Sequence, residues 1–236
     1  MRTMFKTILS ATALIALAAS PSMAQETPED ASEEATAPVP RLASSYARID
    51  YDLQADRENI LLLDLSTGQR VAIRLMPDWA PNHVERIKTL TRQGFYDGVI
   101  FHRVIDGFMA QTGDPTGTGQ GGSQLPDLEE EFNPMPHVRG TVSMARAQTE
   151  DSANSQFFIV FYPRFTLDKR YTNFGRVIAG MDAVDAIARG EPPGNPTRIV
   201  QASLASDNRP APSPAAIAAQ DSTEISADDL NAPIGE

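Results

Sequence analysis

An arginine and a glutamine stand out in the stretch FHRVIDGFMAQTGD, which runs from Phe101 to Asp114. Its apolar residues are typical of a buried strand, yet Arg103 lies in the middle of it and Gln111 follows eight residues later. A guanidinium keeps its charge, so burying one is costly unless partners surround it. Considered alone, Arg103 is an exposed strand residue whose stem packs on its neighbours, and Gln111 is a polar residue of a surface or loop.

The residues of several common catalytic chemistries are missing from this sequence. It contains no cysteine, which excludes disulfides, thiolate metal sites and thiol nucleophiles. Three histidines are present, His83, His102 and His137, but their spacing does not suit a metal site. No Gly-x-Ser-x-Gly motif marks a serine nucleophile. An arginine, a glutamine and several Phe, Met and Leu residues remain, a set that suits a reaction without metal, cofactor or covalent intermediate.

A glycine-rich stretch from Gly117 to Gly122 fits the pattern G-x-G-x-x-G of dinucleotide-binding loops. Such a loop must lie between a strand and a helix. Here Asp114 and Pro115 precede it, and Pro126 falls where the helix would be growing. The stretch therefore indicates a flexible glycine loop beside a site rather than a phosphate site.

Short apolar runs with turn residues between them dominate the middle of the chain and predict strands. The run NILLLDLSTGQRVAIRL predicts a hairpin that turns at 66–69. Apolar residues at helical spacing predict one helix over 81–93 and a second, shorter one around 181–187. Many short strands with two helices are typical of an antiparallel barrel or sandwich. The further predicted strands lie around 99–105, 141–145, 156–161, 173–177 and 199–204.

Three blocks of the sequence resemble the motifs of one family, the cyclophilins, which are peptidyl-prolyl cis-trans isomerases. The blocks are FHRVIDGFMAQTGDPTGTGQGG, GTVSMARAQTEDSANSQFFIVF and LDKRYTNFGRVIAGMDAVDAI, and they occur in the family's order between Asn59 and Leu204. The compact connections resemble the bacterial, exported branch of the family. The resemblance implies a mainly β fold, with a closed eight-stranded antiparallel β-barrel capped by two α-helices.

The resemblance also assigns roles to individual residues. It implies that Arg103 is the catalytic arginine and that Gln111 helps to hold this arginine and the substrate. The other implied site residues form a proline pocket, a strand segment that pairs with the substrate backbone, and two positions beside them. They are Phe108, Met109, Phe158 and Leu167 in the pocket, Ala145, Arg146 and Ala147 in the strand segment, and Gln156 and Tyr171 beside them. Taken singly, the four pocket residues would be core residues, because such side chains are usually buried.

Three positions differ from the pattern of the family. Arg146 stands where asparagine is usual, and Tyr171 stands where many members have histidine. Thr166 stands where the family often has Trp or Phe, just before a Leu-Asp pair. Phe165, one residue earlier, is a candidate replacement for that ring. The missing ring implies weak binding of cyclosporin, and it does not affect the implied isomerase activity.

The implied reaction explains why an arginine is needed. An X–Pro bond isomerises slowly because twisting the amide meets a barrier of about 20 kcal/mol. A fixed donor aimed at the prolyl nitrogen or a neighbouring carbonyl stabilises the twisted state more than either planar state. The expected substrates are proline-containing unfolded or flexible polypeptides. A non-catalytic module or chaperone that binds Pro-peptides on the same scaffold is the alternative, and it would not need Arg103.

The first 24 residues resemble a secretory signal peptide. Arg2 and Lys6 are followed by a short apolar stretch over 8–19 and by small residues at 22–24. A membrane anchor is the alternative, but the apolar stretch is too short to span a bilayer comfortably. We therefore expect cleavage near Ala24, no stable membrane anchor in the mature chain, and a periplasmic or secreted protein.

Acidic residues are concentrated at the two ends of the chain. The formal net charge is −11, yet residues 25–40 contain five acids and residues 205–236 contain six, so the segment 41–204 is nearly balanced. We expect an acidic disordered linker over 25–45, an isomerase domain over 46–204 and a Pro/Ala-rich disordered tail over 205–236. Either end is a solvated spacer or an interaction tail. The balanced domain lacks a basic face for nucleic acid, and we expect a monomer.

Overall fold

The computed structural model describes residues 49–221, which form eight strands, three α-helices and three short 3-10 segments. The strands are β1 Ile60–Leu65, β2 Arg70–Leu75, β3 Arg103–Ile105, β4 Met109–Thr112, β5 Thr141–Met144, β6 Phe157–Val160, β7 Asn173–Ala179 and β8 Ile199–Leu204. The helices are α1 Pro81–Arg92, α2 Met181–Asp185 and α3 Pro214–Asp221, and the 3-10 segments are Arg57–Asn59, Phe165–Leu167 and Ala205–Asp207. The mainly β class that the sequence predicts is confirmed.

The stretch from Phe101 to Asp114 contains two strands rather than one. The chain turns at Asp106 and Gly107, where Gly107 has a φ of 66°, a conformation that costs glycine little. An Asp-Gly pair between apolar runs is a hairpin signal, and here it marks the boundary between β3 and β4.

The eight strands form one antiparallel sheet in the order β3-β4-β6-β5-β7-β2-β1-β8. The expected closed barrel is not found, because β3 and β8 lie at the two edges of the sheet. Only isolated pairing occurs near these edges, for example from Phe101 N to the Thr197 carbonyl oxygen at 2.9 Å. β3 has three residues, too few to continue a ladder against β8. The sheet is therefore curled but open.

Side chains alternate between the two faces of this sheet. On β6, Phe157 and Ile159 enter the main core, whereas Phe158 and Val160 belong to a separate cluster on the opposite face. We call the face toward the main core the inner face and the other the outer face. Helices α1 and α2 contribute apolar side chains such as Ile87 to the main core, as their helical spacing predicts. The separate outer cluster needs another explanation.

Arg74 on β2 binds an N-terminal segment of the described chain to the outer face. Its side chain is almost completely buried, and the residue is 2% exposed. Its guanidinium donates four hydrogen bonds of 2.7–3.0 Å to backbone carbonyl oxygens. The acceptors are the carbonyls of Asp50, Asp52, Ala55 and Asp56.

The ordered chain continues past residue 204, where the sequence predicts that a disordered tail begins. Ala205 is buried, and its carbonyl oxygen accepts a hydrogen bond from Arg57. Arg209 donates to the carbonyl oxygen of Ala202 at 3.2 Å, and helix α3 follows. The described structure thus includes residues 205–221 of the predicted tail. Arginine contacts with the backbone and the high helix propensity of alanine give residues 205–221 structure despite their low hydrophobicity.

The predicted signal segment 1–24, the predicted linker 25–45 and the tail beyond residue 221 lie outside the described residues. Within residues 49–221, no helix is both long enough and apolar enough to cross a bilayer.

Candidate functional site

The strand register places Arg103, Gln111 and Phe158 side by side on the outer face. Arg103 is opposite Gln111 between β3 and β4, and Gln111 is opposite Phe158 between β4 and β6. Residues opposite one another point to the same face, and neighbouring strands lie about 4.8 Å apart. Three residues that are separated in the chain therefore meet because their strands are neighbours in the sheet.

A cavity of about 230 Å³ opens beside this row, and we call it the apolar cavity because most of the side chains that line it are aliphatic or aromatic. Met109 and Phe158 are its most deeply buried lining residues, at 1% and 4% exposure. Tyr171 meets Phe158 edge to face, with the ring centroids 5.6 Å apart. The lining consists of Arg103, Phe108, Met109, Gln111, Ala145, Arg146, Phe158, Leu167 and Tyr171. This cavity explains the separate cluster on the outer face, whose side chains form its wall.

A second cavity, of about 450 Å³, adjoins the first and shares Gln111, Ala145 and Arg146 with it. It is mostly polar and is lined by the glycine-rich loop and by the two remaining predicted site residues, Ala147 and Gln156. The structure thus brings all eleven predicted site residues to two adjoining cavities. The four predicted pocket residues line the first cavity and are absent from the main core.

Two side chains hold the half-exposed guanidinium of Arg103. Glu191 accepts a hydrogen bond from Nε at 2.8 Å, whereas the contact from Nη1 to Gln111 Oε1 is long, at 3.5 Å. Gln111, the predicted partner, is therefore the weaker of the two. Within residues 49–221, no acceptor is found for the other three N–H groups of Arg103. These donors are available at the rim of the apolar cavity.

Sequence reasoning missed Glu191. The two partners are separated by 88 residues in the chain, and Glu191 belongs to no recognisable motif. The pairing of the Gly190 backbone with Val104 brings this segment beside β3.

A chain of amide hydrogen bonds fixes the orientation of Gln111. Its Nε2 donates to Gln156 Oε1 at 2.8 Å, so its Oε1 faces Arg103. Gln156 Nε2 in turn donates to the carbonyl oxygens of Gly119 and Gly121 at 3.1 and 2.8 Å. Because an amide nitrogen only donates and an amide oxygen only accepts, the glycine-rich loop determines which end of Gln111 meets the arginine.

The glycine-rich loop is organised by the carboxylate of Asp114, not by a phosphate. Asp114 is completely buried and accepts hydrogen bonds from the backbone N–H groups of Thr116, Gly119 and Gly121 at 2.6–3.1 Å. Burial alone would raise the pKa of Asp114, but hydrogen bonds from Thr116 and from these backbone groups outweigh it and lower the pKa to about 2. The carboxylate occupies donors that a dinucleotide phosphate would require, so the loop is a support for the site.

Arg146 organises the segment that follows β5. Its guanidinium lies 4.8 Å from the centre of the Tyr171 ring, within the range of a cation–π interaction. The same group donates to the carbonyl oxygens of Ala147, Gln148 and Arg170 at 3.0–3.2 Å. These backbone contacts give the arginine a local structural role at the boundary between the two cavities.

The three histidines are buried in the fold. Burial lowers the pKa of each of them. His137 lies under the site, where its Nδ1 contacts Asp168 at 2.8 Å and its Nε2 contacts Ser143 Oγ at 2.9 Å. The contact with Asp168 fastens the chain next to Leu167 in the cavity wall. Within residues 49–221, no group of three or more His, Cys, Asp or Glu side chains is placed to hold a metal ion.

Phe165 does not replace the missing aromatic ring. Its side chain is 63% exposed, and it is not part of the lining of either cavity.

Comparison with known proteins identifies the family. Residues 62–204 match the family model of the cyclophilin-type peptidyl-prolyl cis-trans isomerases. A probable peptidyl-prolyl cis-trans isomerase of Brucella suis is 46% identical over 184 residues, covering 71% of this chain and 93% of the relative. Peptidyl-prolyl cis-trans isomerase B of Bacillus subtilis is 41% identical over 128 residues, covering 54% and 89%.

Solved structures lead to the same family. Cyclophilin AquaCyp293 of Hirschia baltica superposes with a TM-score of 0.61 at 31% identity, covering 66% of this chain and 77% of that one. A cyclophilin-type isomerase of Cryptosporidium parvum, solved in the presence of the dipeptide Ala-Pro, gives 0.57 at 28% identity, covering 61% and 98%. The match of the family model covers more than half of the chain and includes both cavities and the row that contains Arg103. The chain belongs to the cyclophilin family and is a peptidyl-prolyl cis-trans isomerase.

Proposed function

We propose that Arg103 accelerates X–Pro isomerisation by electrostatic stabilisation of the twisted amide, without a covalent intermediate. One observation carries the proposal: the guanidinium is held by Glu191 and Gln111 at the rim of an apolar cavity, with three N–H groups that meet no acceptor in the described chain. These donors are fixed in place before the substrate arrives, so little reorganisation is needed during the reaction.

The charge distribution of the reaction suits such a donor. When the C–N bond twists, amide resonance is lost and the prolyl nitrogen regains its lone pair. A hydrogen bond to that nitrogen, or to a substrate carbonyl beside it, is stronger in the twisted state than in either planar state. Arginine retains its charge in a partly dry cleft, where a lysine could lose a proton.

The remaining site residues hold the substrate. The pyrrolidine ring fits among Phe108, Met109, Phe158 and Leu167, which offer aromatic faces and flexible apolar side chains. The extended peptide follows residues 145–147, so its neighbouring residues pass over the polar cavity. Such a site accepts proline in unfolded or flexible polypeptides and needs neither metal nor cofactor.

The direct test replaces the arginine. Arg103→Ala should lower kcat/KM for an Ala-Pro peptide by about 10²- to 10³-fold, as the loss of one preorganised donor to a developing charge does in other enzymes. Arg139→Ala is the matched control, since its side chain is 42% exposed against 41% for Arg103 and is also paired with a carboxylate. Equal kcat/KM for wild type and Arg103→Ala, in folded proteins, would refute the mechanism.

We further propose that the protein assists the folding of exported chains. The support lies in the sequence: two basic residues, a short apolar stretch and a small-residue site ending at Ala24. Expression in a bacterial host should yield a periplasmic or secreted protein whose N-terminus is Gln25. A cytoplasmic protein that retains Met1 would contradict the export proposal and leave the isomerase activity unaffected.

A further inference from the structure

Glu191 lies on the side of β3 that faces away from β4. Gly190 and Val104 exchange two backbone hydrogen bonds, with N–O distances of 2.7 and 2.9 Å. This pairing anchors the segment before Glu191 to the strand that carries Arg103. The carboxylate of Glu191 therefore reaches Arg103 from a backbone segment that is paired with β3, and its Oε2 lies 2.8 Å from Nε.

Glu191 and Gln111 contact different parts of the same guanidinium. Glu191 takes the Nε edge, and Gln111 Oε1 lies 3.5 Å from Nη1 on the opposite side. Arg189, the nearest arginine in the chain, has its own carboxylate partner in Asp106 at 3.3 Å. The pairing of Glu191 with Arg103 is therefore specific within this cluster of charges.

We propose that Glu191 is a positioning residue that aims Arg103 at the substrate, an inference that rests on the proposed role of Arg103. An arginine side chain has a long flexible stem, and its rotamer freedom opposes any single orientation. By binding Nε, the carboxylate fixes the plane of the guanidinium and leaves the Nη groups directed at the cavity rim. The long contact with Gln111 cannot provide this constraint alone, because hydrogen bonds weaken steeply with distance.

The test compares two substitutions of the same residue by NMR line-shape analysis of an Ala-Pro peptide. Glu191→Ala should lower kcat about tenfold with little change in KM, since misplacement of a catalytic group acts on the transition state. Glu191→Gln keeps an acceptor for Nε and should recover most of the lost kcat. Glu58→Ala is the control: Glu58 forms an exposed pair with Arg92 at 2.7 Å, on a different part of the chain, and its loss should leave kcat unchanged.

A second measurement reads the orientation of Arg103 without reference to activity. The Nε–Hε resonance of Arg103 should be shifted downfield and exchange slowly with water in the wild type and in Glu191→Gln. In Glu191→Ala it should move toward the random-coil position and exchange rapidly.

The outcomes separate this inference from the proposed role of Arg103. A kcat that is unchanged or higher in Glu191→Ala, while Arg103→Ala is slow, would overturn the positioning role alone. Normal kcat in Arg103→Ala would overturn the proposed function itself. A raised KM with an unchanged kcat in Glu191→Ala would also overturn the inference, because it would make Glu191 a substrate contact.

Discussion

Two arginines on the outer face of one sheet have opposite surroundings. Arg74 on β2 is 2% exposed and donates to four backbone carbonyl oxygens of residues 50–56. Arg103 on β3 has a side chain that is 41% exposed, and it contacts one carboxylate and, at long range, one amide. The guanidinium of Arg74 donates nearly all of its hydrogen bonds to the chain, whereas that of Arg103 keeps open donors.

The difference separates a structural charge from the catalytic one that we propose for Arg103. A buried guanidinium with almost all of its donors bound cannot bind a substrate. Its loss leaves its acceptors exposed or without a hydrogen-bond partner. A braced guanidinium with open donors at an apolar cavity can bind a charge that develops there. Residue type is therefore uninformative by itself, and the number of satisfied donors distinguishes the two roles.

The largest stability effect is expected at Arg74. Arg74→Met should lower the free energy of unfolding by about 2–3 kcal/mol, because four carbonyl groups lose their donor and the covering segment loosens. Urea denaturation measures this change, and kcat/KM should remain within about twofold of wild type. Arg139→Met, at an exposed arginine, should change stability by less than about 0.5 kcal/mol. Loss of activity in a folded Arg74→Met protein would mean that the two regions are coupled.

Acid should weaken the hold of Asp114 on the glycine-rich loop beside the site, but not the hold of Arg74 on residues 50–56. Asp114 has a pKa lowered from 3.8 to about 2, so its stabilising contribution is complete above about pH 4 and is lost as the pH falls through 2. The backbone carbonyls bound by Arg74 do not titrate in this range. Asp114→Asn should therefore be less stable than wild type by about 2 kcal/mol at pH 7, and the difference should shrink between pH 4 and pH 2. A constant difference across urea titrations at pH 7, 4 and 2 would contradict this role of the carboxylate.

Adjacent phenylalanines on β6 sharpen the contrast between the two faces. Phe158 lines the apolar cavity, and Phe157 is fully buried in the main core. Phe157→Leu should lower the free energy of unfolding by about 1–1.5 kcal/mol and leave peptide affinity unchanged. Phe158→Leu should weaken binding of an Ala-Pro peptide severalfold, with a stability loss of about 1 kcal/mol. If peptide titrations showed the same affinity for both variants, the cavity would not be the proline pocket.

Much of the fold could be predicted because it depends on local patterns. The short apolar run that contains Phe157 and Phe158 predicted a strand, and the spacing of Val84, Ile87 and Leu90 predicted α1. The placement of the eleven site residues came from the resemblance of long motifs, since composition alone would have assigned the apolar ones to the core. The turn at Gly107 also has a local signal, the Asp-Gly pair, although the apolar residues around it favour a single strand.

Other features depend on contacts between distant parts of the chain, which a sequence pattern does not encode. No sequence pattern near Glu191 indicates that its partner, Arg103, is 88 residues away. Asp114 precedes the glycine-rich loop in the sequence, yet its role in organising that loop depends on the loop folding back onto its carboxylate. Closure of the barrel depends on how β3 and β8 meet, and three residues of β3 do not continue the ladder.

The most direct test of the role of Arg103 is the rate of cis–trans exchange within the bound complex. NMR exchange spectroscopy at saturating protein measures this rate for an Ala-Pro peptide in wild type and in Arg103→Ala, with occupancy of the cavity verified by chemical-shift changes at Phe158. If the open donors of Arg103 stabilise the twisted amide, the peptide still binds to Arg103→Ala and exchange in the complex slows by about 10²-fold or more. An equal exchange rate in both complexes, with the peptide seated in the same cavity, would contradict it.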